Sequence, residues 1–257
     1  AALIKAVSEA YHKAGKPVVV ILNICSPIET ASWKESVDAI LCAFQPGQEA
    51  GNSITDVLTG KVNPSGHLPM TFQVAYGDAL SDKNFPYDYE FQLPDFGMGS
   101  GMNFQNKNKV EKPKEPVRNV DYTVYEEGVY VGYRYFDTFS KAVSYPFGHG
   151  LSYTDFKYEV LSSAISTDKC TVDVKVTNTG SVPGKASVQV YVKAPRGSMD
   201  KPSKELKAFA KTACIAPGES VTVTLDWNLM DMASFNEKKS SWELASGVYN
   251  WLIGASS

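Results

Sequence analysis

The first part of the chain alternates between helical and strand-like patterns of hydrophobic positions. Apolar residues recur at helical spacing over residues 3–11, and Gly15 ends this predicted helix. A β-branched run at 18–22 then predicts a strand buried on both faces, as in parallel sheets. Residues 38–43 predict a second buried strand, and residues 48–58 predict a second long helix. This alternating order is typical of an α/β fold.

Only two strands are predicted in this part, which is few for an open parallel sheet. Such sheets usually have several strands with helices covering both faces. The predicted helix at 2–14 also begins without a Ser, Thr, Asp or Asn that could cap it. We therefore expect that further strands of this sheet lie upstream or in another chain.

The hydrophobic pattern changes near residue 157 to short strands separated by turns. Alternating or β-branched runs predict strands at 169–177, 186–192, 205–215, 220–227, 243–247 and 248–253. Regular short strands of this kind predict an antiparallel sandwich of the immunoglobulin or fibronectin type III kind. For Trp227, Trp242 and Trp251, burial in the core is favoured over an exposed platform for sugars.

Composition narrows the classes of protein and ligand. The 257 residues are 43% apolar and 21% charged, the make-up of a soluble globular protein with one large or two medium domains. The net charge of −3 offers no basic stripe for nucleic acid, and no apolar run is long enough to span a bilayer. A neutral or weakly charged ligand is therefore expected.

The four cysteines lie far apart and never in the CxxC spacing of zinc sites. Cys25 and Cys42 lie in apolar runs, where a buried thiol is the usual interpretation. For Cys170 and Cys214, free buried thiols are favoured, and a disulfide stays open as the alternative.

Between the two patterned halves, residues 76–121 are rich in Asp, Asn, Lys, Pro and Gly and predict a long loop. The sequence then divides into an α/β part at 1–75, this loop, a joining segment at 122–152 that completes the α/β domain, and a sandwich at 153–257. The predicted fold class is a partial α/β parallel-sheet sandwich followed by an all-β fibronectin type III-like sandwich.

Several short motifs occur in a fixed order along the chain. They are Pro-Gly-Gln-Glu-Ala-Gly at 46–51, Asn-Pro-Ser-Gly at 63–66, the segment 125–137, Tyr-Pro-Phe-Gly-His-Gly-Leu-Ser-Tyr at 145–153, Asn-Thr-Gly at 178–180 and Gly-Val-Tyr-Asn-Trp-Leu-Ile-Gly at 247–254. This set resembles the C-terminal half of family 3 glycoside hydrolases, the β-glucosidase and β-xylosidase family. The resemblance covers nearly the whole chain, although Cys25 and Ala50 stand where the family commonly has Gly.

The resemblance implies part of a retaining exo-β-glucosidase, which removes terminal sugars from oligosaccharides through a covalent glycosyl-enzyme intermediate. In that family the nucleophilic Asp lies on a (β/α)8 barrel domain, and the acid/base Glu usually lies upstream of the helix with which this sequence begins. We therefore expect no catalytic residue here, an inactive isolated chain, and a barrel domain or companion chain as partner.

Two alternatives stay open beside this expectation. One is a β-xylosidase or arabinofuranosidase of the same family, and the other is a non-catalytic carbohydrate-binding or interaction module. No metal or organic cofactor is implied, since retaining hydrolysis needs two carboxyls and water. A periplasmic or secreted location and a homodimer are expected from analogy alone.

The candidate sugar-binding residues lie in the joining segment, at Tyr130, Arg134 and Glu127. Aromatic faces cover the C–H faces of sugars, and Arg offers a fork of hydrogen-bond donors. The favoured alternative is an inter-domain strand that packs its aromatic side chains against both neighbours. Glu126 and Glu127 would point to opposite faces of such a strand, so they are not expected to form a catalytic pair.

Three further polar residues lie beside glycines in the motifs. Glu49, at a helix N-terminus, is interpreted as a helix-dipole partner or hydrogen-bond acceptor, with a bound sugar hydroxyl as the lesser alternative. His67 and His149 have no Asp or Ser at a spacing that suggests a triad, so we interpret both as structural or surface residues.

Overall fold

The computed structural model describes residues 1–84 and 124–257, apart from Ser198. It divides into two compact units, one formed by Ala1–Tyr76 with Val129–Ser257 and the other by Gly77–Gly128. Most of the predicted loop, residues 85–121, lies outside the described residues. Within the described part of the chain, no helix is long and apolar enough to cross a membrane.

The larger unit begins with the predicted α/β order. The elements are helix α1 at Ala2–Lys13, strand β1 at Val19–Leu22, strand β2 at Ala39–Cys42 and helix α2 at Ala50–Leu58. Strands β1 and β2 pair in parallel along their whole length. A 3-10 turn at Gly47–Glu49 leads directly into α2, which accounts for the predicted start of that helix at residue 48.

The apolar surface of this α/β part is only partly covered. Leu3 on α1 is 77% exposed, and Val19 and Ile21 on β1 are 43% and 42% exposed. The prediction that β1 is buried on both faces is therefore wrong, because a two-stranded sheet is not covered as a full parallel sheet is. Cys25 is exposed and Cys42 is half-buried, so the prediction of a buried thiol is also wrong for Cys25.

A second strand pair lies between the α/β part and the sandwich. Strand β3 at Phe72–Gln73 pairs antiparallel with strand β4 at Val143–Tyr145, and helix α3 at Tyr133–Thr138 precedes β4 in the chain. The side chain of Phe72 is almost completely buried. This pairing brings the joining segment back onto the α/β part.

The remaining strands form the predicted antiparallel sandwich. They are β5 at Phe156–Ile165, β6 at Lys169–Asn178, β7 at Ser187–Lys193, β8 at Glu205–Lys211, β9 at Ser220–Asn228, β10 at Ser234–Asn236, β11 at Ser241–Glu243 and β12 at Asn250–Gly254. One sheet has the order β5-β6-β9 and the other β12-β7-β8, while β10 and β11 form a separate hairpin. Of the predicted strand at 243–247, only Glu243 is confirmed, as the last residue of β11. The prediction is wrong for residues 244–247.

Alternating side chains from the two sheets build the core of the sandwich. On β6 the buried apolar residues are Cys170, Val172, Val174 and Val176, each followed by a less buried residue. Burial of such apolar side chains is worth about 1.5–3 kcal/mol each. Cys170 is completely buried while Cys214 is exposed, and both are free, so the disulfide alternative is wrong.

The three tryptophans have different environments. Trp227 is 5% exposed, and its ring meets the ring of half-buried Trp251 edge-on at 4.6 Å. Trp242 is 64% exposed, directly opposite Phe235 on the β10–β11 hairpin. The prediction of core burial is therefore confirmed for Trp227 and wrong for Trp242, whose position in the hairpin faces it outward.

Asn178, at the end of β6, is completely buried and uses its whole amide group. Its Nδ2 atom donates to the carbonyls of Val182 and Ile215 at 2.8 and 2.9 Å. Its Oδ1 atom accepts from the Thr154 hydroxyl at 2.6 Å and from the Gly180 N–H at 3.1 Å. These four bonds satisfy both donors and both lone pairs of the amide.

Asn63 makes the matching connection from the α/β side. Its Nδ2 atom donates to the carbonyl of Pro183 at 3.0 Å, and its Oδ1 atom accepts from the Ser152 hydroxyl and the Tyr153 N–H at 2.9 and 2.8 Å. A Cβ atom on Gly184 would lie 2.7 Å from Asn63 Nδ2, so the close approach of these segments requires glycine. Polar side chains therefore join the α/β part to the sandwich.

We expect the Asn178→Ala variant to lose about 3 kcal/mol of unfolding free energy, because the buried Thr154 hydroxyl loses its partner and the carbonyls of Val182 and Ile215 each lose a donor. Urea denaturation followed by tryptophan fluorescence measures this loss. The control is Thr177→Ala, which removes an exposed hydroxyl whose one hydrogen bond among the described residues is with Ser220. This change should cost less than about 1 kcal/mol. Equal losses in the two variants would contradict the importance of the buried amide.

Candidate functional site

Two of the three sugar-binding candidates have partners within the chain. The Tyr130 hydroxyl donates a hydrogen bond to the carboxylate of Asp200, which raises the pKa of Tyr130. The Arg134 guanidinium lies 3.3 Å from the carboxylate of Glu205. Both contacts link the joining segment to β8 and to the residues that precede it. Direct sugar contact by Tyr130 and Arg134 stays a prediction.

Tyr133 is the centre of the packing between α3 and the sandwich. Its hydroxyl accepts a hydrogen bond from the Leu206 N–H at 2.8 Å. Its ring stacks on Phe147 with centroids 5.0 Å apart and meets Tyr191 edge-on at 5.7 Å. These contacts support the alternative in which the aromatic side chains of this segment serve packing.

The prediction of a strand through the joining segment is wrong, because Tyr133–Thr138 form a helix. Gly132 precedes this helix with φ 58°, and Ser140 follows it with φ 50°. The Lys141 N–H donates to the Phe136 carbonyl at 2.8 Å, a bond that closes helix ends when a left-handed residue follows. The bonds from α3 to β8 outweigh the preference of aromatic and β-branched residues for strands.

Glu127, the third candidate, is half-buried and belongs to the unit Gly77–Gly128. Its neighbour Glu126 forms an ion pair with Lys83 at 2.7 Å and accepts a hydrogen bond from Asn84 at 2.9 Å. These contacts hold the pKa of Glu126 below its ordinary value. A general acid at neutral pH needs the opposite shift. Neither Glu126 nor Glu127 lies on a strand.

Five carboxyl groups of the described residues have a clearly lowered pKa. In each case a hydrogen bond from a neighbouring backbone or side-chain group is the main cause. These groups are Glu29, Asp38, Glu126, Asp173 and Glu243. Retaining hydrolysis needs one carboxyl with a raised pKa about 5–5.5 Å from an ionised one. These five are ionised near neutral pH, so they are not acids of that kind.

Glu49 lies at the end of the 3-10 turn that leads into α2. Its carboxylate accepts a hydrogen bond from Asn52 Nδ2 at 2.6 Å. This contact agrees with the interpretation of Glu49 as a structural hydrogen-bond acceptor. Within the described residues, no group of three or more His, Cys, Asp or Glu side chains could hold a metal ion.

A polar cluster surrounds His149 beside β4. The ring of His149 lies 4.9 Å from the ring of Tyr145, and Lys34 Nζ lies 4.8 Å from the centroid of that same tyrosine. His67 Nδ1 lies 2.6 Å from the Gly148 carbonyl, to which it donates. Burial lowers the pKa of His149, and the neighbouring His67 and Lys34 lower it further. Both histidines therefore have the structural surroundings that were predicted.

A groove of about 570 Å³ lies where α3 and the following turn meet β7 and β12. Its charged lining residues are Asp137, Lys141, Lys193 and Lys204. Lys204 Nζ lies 3.3 Å from Asp137 Oδ2 and 5.4 Å from the centroid of the Tyr191 ring. No sequence motif indicated this groove, because its residues come from separate stretches that meet only in the folded chain.

Comparisons with known proteins give the same identification for both parts of the chain. Residues 1–133 match the model for the glycosyl hydrolase family 3 C-terminal domain, and residues 186–257 match the model for a fibronectin type III-like domain. The chain is 40% identical over 248 residues to β-glucosidase B of Emericella nidulans, covering 95% of this chain and 26% of that protein. It is 39% identical over 263 residues to thermostable β-glucosidase B of Acetivibrio thermocellus, covering 99% of this chain and 29% of that protein.

Among solved structures, the chain is similar to β-glucosidase 3B from Thermotoga neapolitana in complex with α-D-glucose. The TM-score is 0.82 at 43% sequence identity, and the match covers 99% of this chain and 32% of that chain. The chain thus spans between 26% and 32% of the length of these three relatives. What it shares with them is their C-terminal region.

We expect the Tyr133→Phe variant to lose about 1–2 kcal/mol of unfolding free energy, because the N–H of Leu206 loses its acceptor. Urea denaturation provides the measurement. Tyr135→Phe is the matched control, since the Tyr135 hydroxyl forms no hydrogen bond within the described residues. The packing role of Tyr133 would be wrong if the control lost as much stability as Tyr133→Phe.

We also expect a pH dependence of stability from His149. Its folded-state pKa is lowered from the ordinary 6.5, so the unfolded chain takes up the proton first as the pH falls. The contribution of His149 to the unfolding free energy is complete above the ordinary pKa, decreases between that value and the lowered pKa, and is constant below it. Urea denaturation at a series of pH values measures the unfolding free energy against pH. In the interval between the two pKa values, the slope of this plot should be smaller for His149→Gln than for the unsubstituted chain. An unchanged slope would rule out this contribution.

Proposed function

Because this chain belongs to glycoside hydrolase family 3, we propose that it is the C-terminal part of a retaining exo-β-glucosidase. Such an enzyme hydrolyses terminal β-linked glucose from oligosaccharides through a covalent intermediate on a carboxylate. The supporting observation is the match of 95–99% of this chain to β-glucosidases at 39–43% identity.

In this proposal the chain is a scaffold, and the catalytic carboxyls belong to a companion domain. The lowered pKa values of five described carboxyls support this division, since they leave those groups without the character of a general acid. The contacts of Tyr133 and Arg134 with the sandwich support this division as well, because these side chains bind other residues of the chain and stabilise its fold.

The exposed apolar surface of the α/β part fits a companion domain. Leu3, Val7 and Tyr11 lie on one face of α1 at i, i+4 and i+8 and are 77%, 39% and 54% exposed. Val19 and Ile21 alternate along β1 and therefore share one face of the parallel pair. Exposed apolar faces of this kind are typical of surfaces that another part of a protein covers.

We expect the isolated chain to release no nitrophenol from p-nitrophenyl β-glucoside above background. A chimera should hydrolyse this substrate if it joins the preceding part of Thermotoga neapolitana β-glucosidase 3B to this chain, in place of that enzyme's matching segment. The parent Thermotoga enzyme is the positive control, and p-nitrophenyl β-xyloside tests the sugar specificity. Initial rates of nitrophenol release measure both activities.

Two results would contradict the proposal. Turnover by the isolated chain would place catalysis on its own carboxyls and make Glu126, Glu127 and Glu49 the first to substitute. A chimera without activity would exclude the scaffold role, provided that circular dichroism and a cooperative thermal transition show that it folds.

A further inference from the structure

The groove between α3 and the β7–β12 edge concentrates positive charge in an otherwise acidic chain. Three lysines and one aspartate line it, which leaves two net positive charges, whereas the whole chain has a net charge of −3. Clustered positive charge in a concave surface raises the local concentration of anions. The charge of the groove therefore favours an anionic ligand over the neutral one that composition alone suggested.

Lys204 is held in place at the wall of this groove. Its side chain is 22% exposed, with the Asp137 carboxylate on one side and the Tyr191 ring at 5.4 Å. The contact with Asp137 is an ion pair without hydrogen-bond geometry, since Asp137 Oδ2 has no hydrogen-bond partner within the described residues. Lys204 therefore keeps N–H donors for a ligand. Lys207, in contrast, donates to the Asp231 carbonyl at 2.6 Å.

The other polar groups of the groove are also available to a ligand. Lys141 and Lys193 are exposed and form no ion pair within the described residues. Ser140 and Ser203 line the same groove, and their hydroxyls make no hydrogen bond in the part of the chain that the structure describes. Three ammonium groups and two hydroxyls supply donors suited to the several acceptor oxygens of a phosphate or sulfate group.

An apolar wall completes the groove. Leu252 on β12 is 43% exposed and lines it together with Ala142. An inorganic anion has no apolar surface that could pack against this wall, whereas the C–H face of a sugar can pack against it. The volume of about 570 Å³ leaves room for a ligand larger than the anion itself.

We propose that this groove binds the phosphate or sulfate group of a small ligand, with a sugar phosphate as the fitting class. Lys204 holds the anion on the inner side, Lys141 and Lys193 neutralise it from the rim, and Leu252 contacts the body of the ligand. The proposal is independent of the glucosidase assignment, because it uses only the lining residues of the groove in this chain.

Isothermal titration calorimetry of the whole chain tests this site with inorganic phosphate, glucose 6-phosphate and glucose at one constant ionic strength. We expect saturable binding of both phosphates and none of glucose. Lys193→Gln should weaken binding by about tenfold, as for the loss of one charge-assisted hydrogen bond. The Asp137→Asn, Lys204→Gln double variant should weaken it at least as much without leaving an unpaired carboxylate.

The matched control is Lys157→Gln, which removes an exposed lysine on β5, in the other sheet. It should leave both affinities unchanged, and circular dichroism should show that all variants are folded. Tighter binding of glucose 6-phosphate than of inorganic phosphate identifies a sugar phosphate as ligand, and equal binding identifies the free anion. The proposal is overturned by the absence of saturable binding, by equal weakening in Lys157→Gln, or by full affinity in Lys193→Gln.

Discussion

The Asn63 side chain joins the α/β part to the sandwich of the larger unit, and the Asn178 side chain fixes the adjoining segment of the sandwich. Asn63 bonds Ser152, Tyr153 and the Pro183 carbonyl, while Asn178 bonds Thr154 of the same short segment. A buried amide such as that of Asn178 is costly unless every donor and acceptor has a partner, so its four bonds define one arrangement of the segment that Asn63 contacts. The contacts of α3 with β8, and the groove beside them, depend on that arrangement.

The fold could be predicted where a local pattern coincides with burial. The run at 169–177 predicted a strand, and the structure confirms it as β6 with Cys170, Val172, Val174 and Val176 buried. The pattern failed at α3, where aromatic residues favour a strand but contacts with β8 stabilise a helix. It failed again at Trp242, because hydrophobicity does not say which face of a short hairpin is covered.

The candidate site could be predicted less well than the fold. Tyr130 and Arg134 have the chemistry of sugar ligands, yet their partners Asp200 and Glu205 lie about 70 residues further along the chain. No spacing in the sequence reveals an ion pair over such a separation. The groove around Lys204 was missed for the same reason. A lysine can be recognised as a candidate anion-binding residue only when its neighbours in the folded chain are known.

The exposed apolar side chains of α1 and β1 matter for how the catalytic and supporting parts of an enzyme of this family are divided along its sequence. Fully burying one large apolar side chain is worth about 1.5–3 kcal/mol. Covering five that are 39–77% exposed gains a fraction of that value for each, and together this is a substantial part of the roughly 5–15 kcal/mol by which domains are stable. A companion domain that buries Leu3, Val7, Tyr11, Val19 and Ile21 would therefore gain stability from the same contact that positions it. Stability and the assembly of an active site then depend on the same exposed side chains. The five carboxyl groups with a lowered pKa can remain ionised in their local hydrogen bonds, because in that arrangement proton transfer belongs to the companion domain.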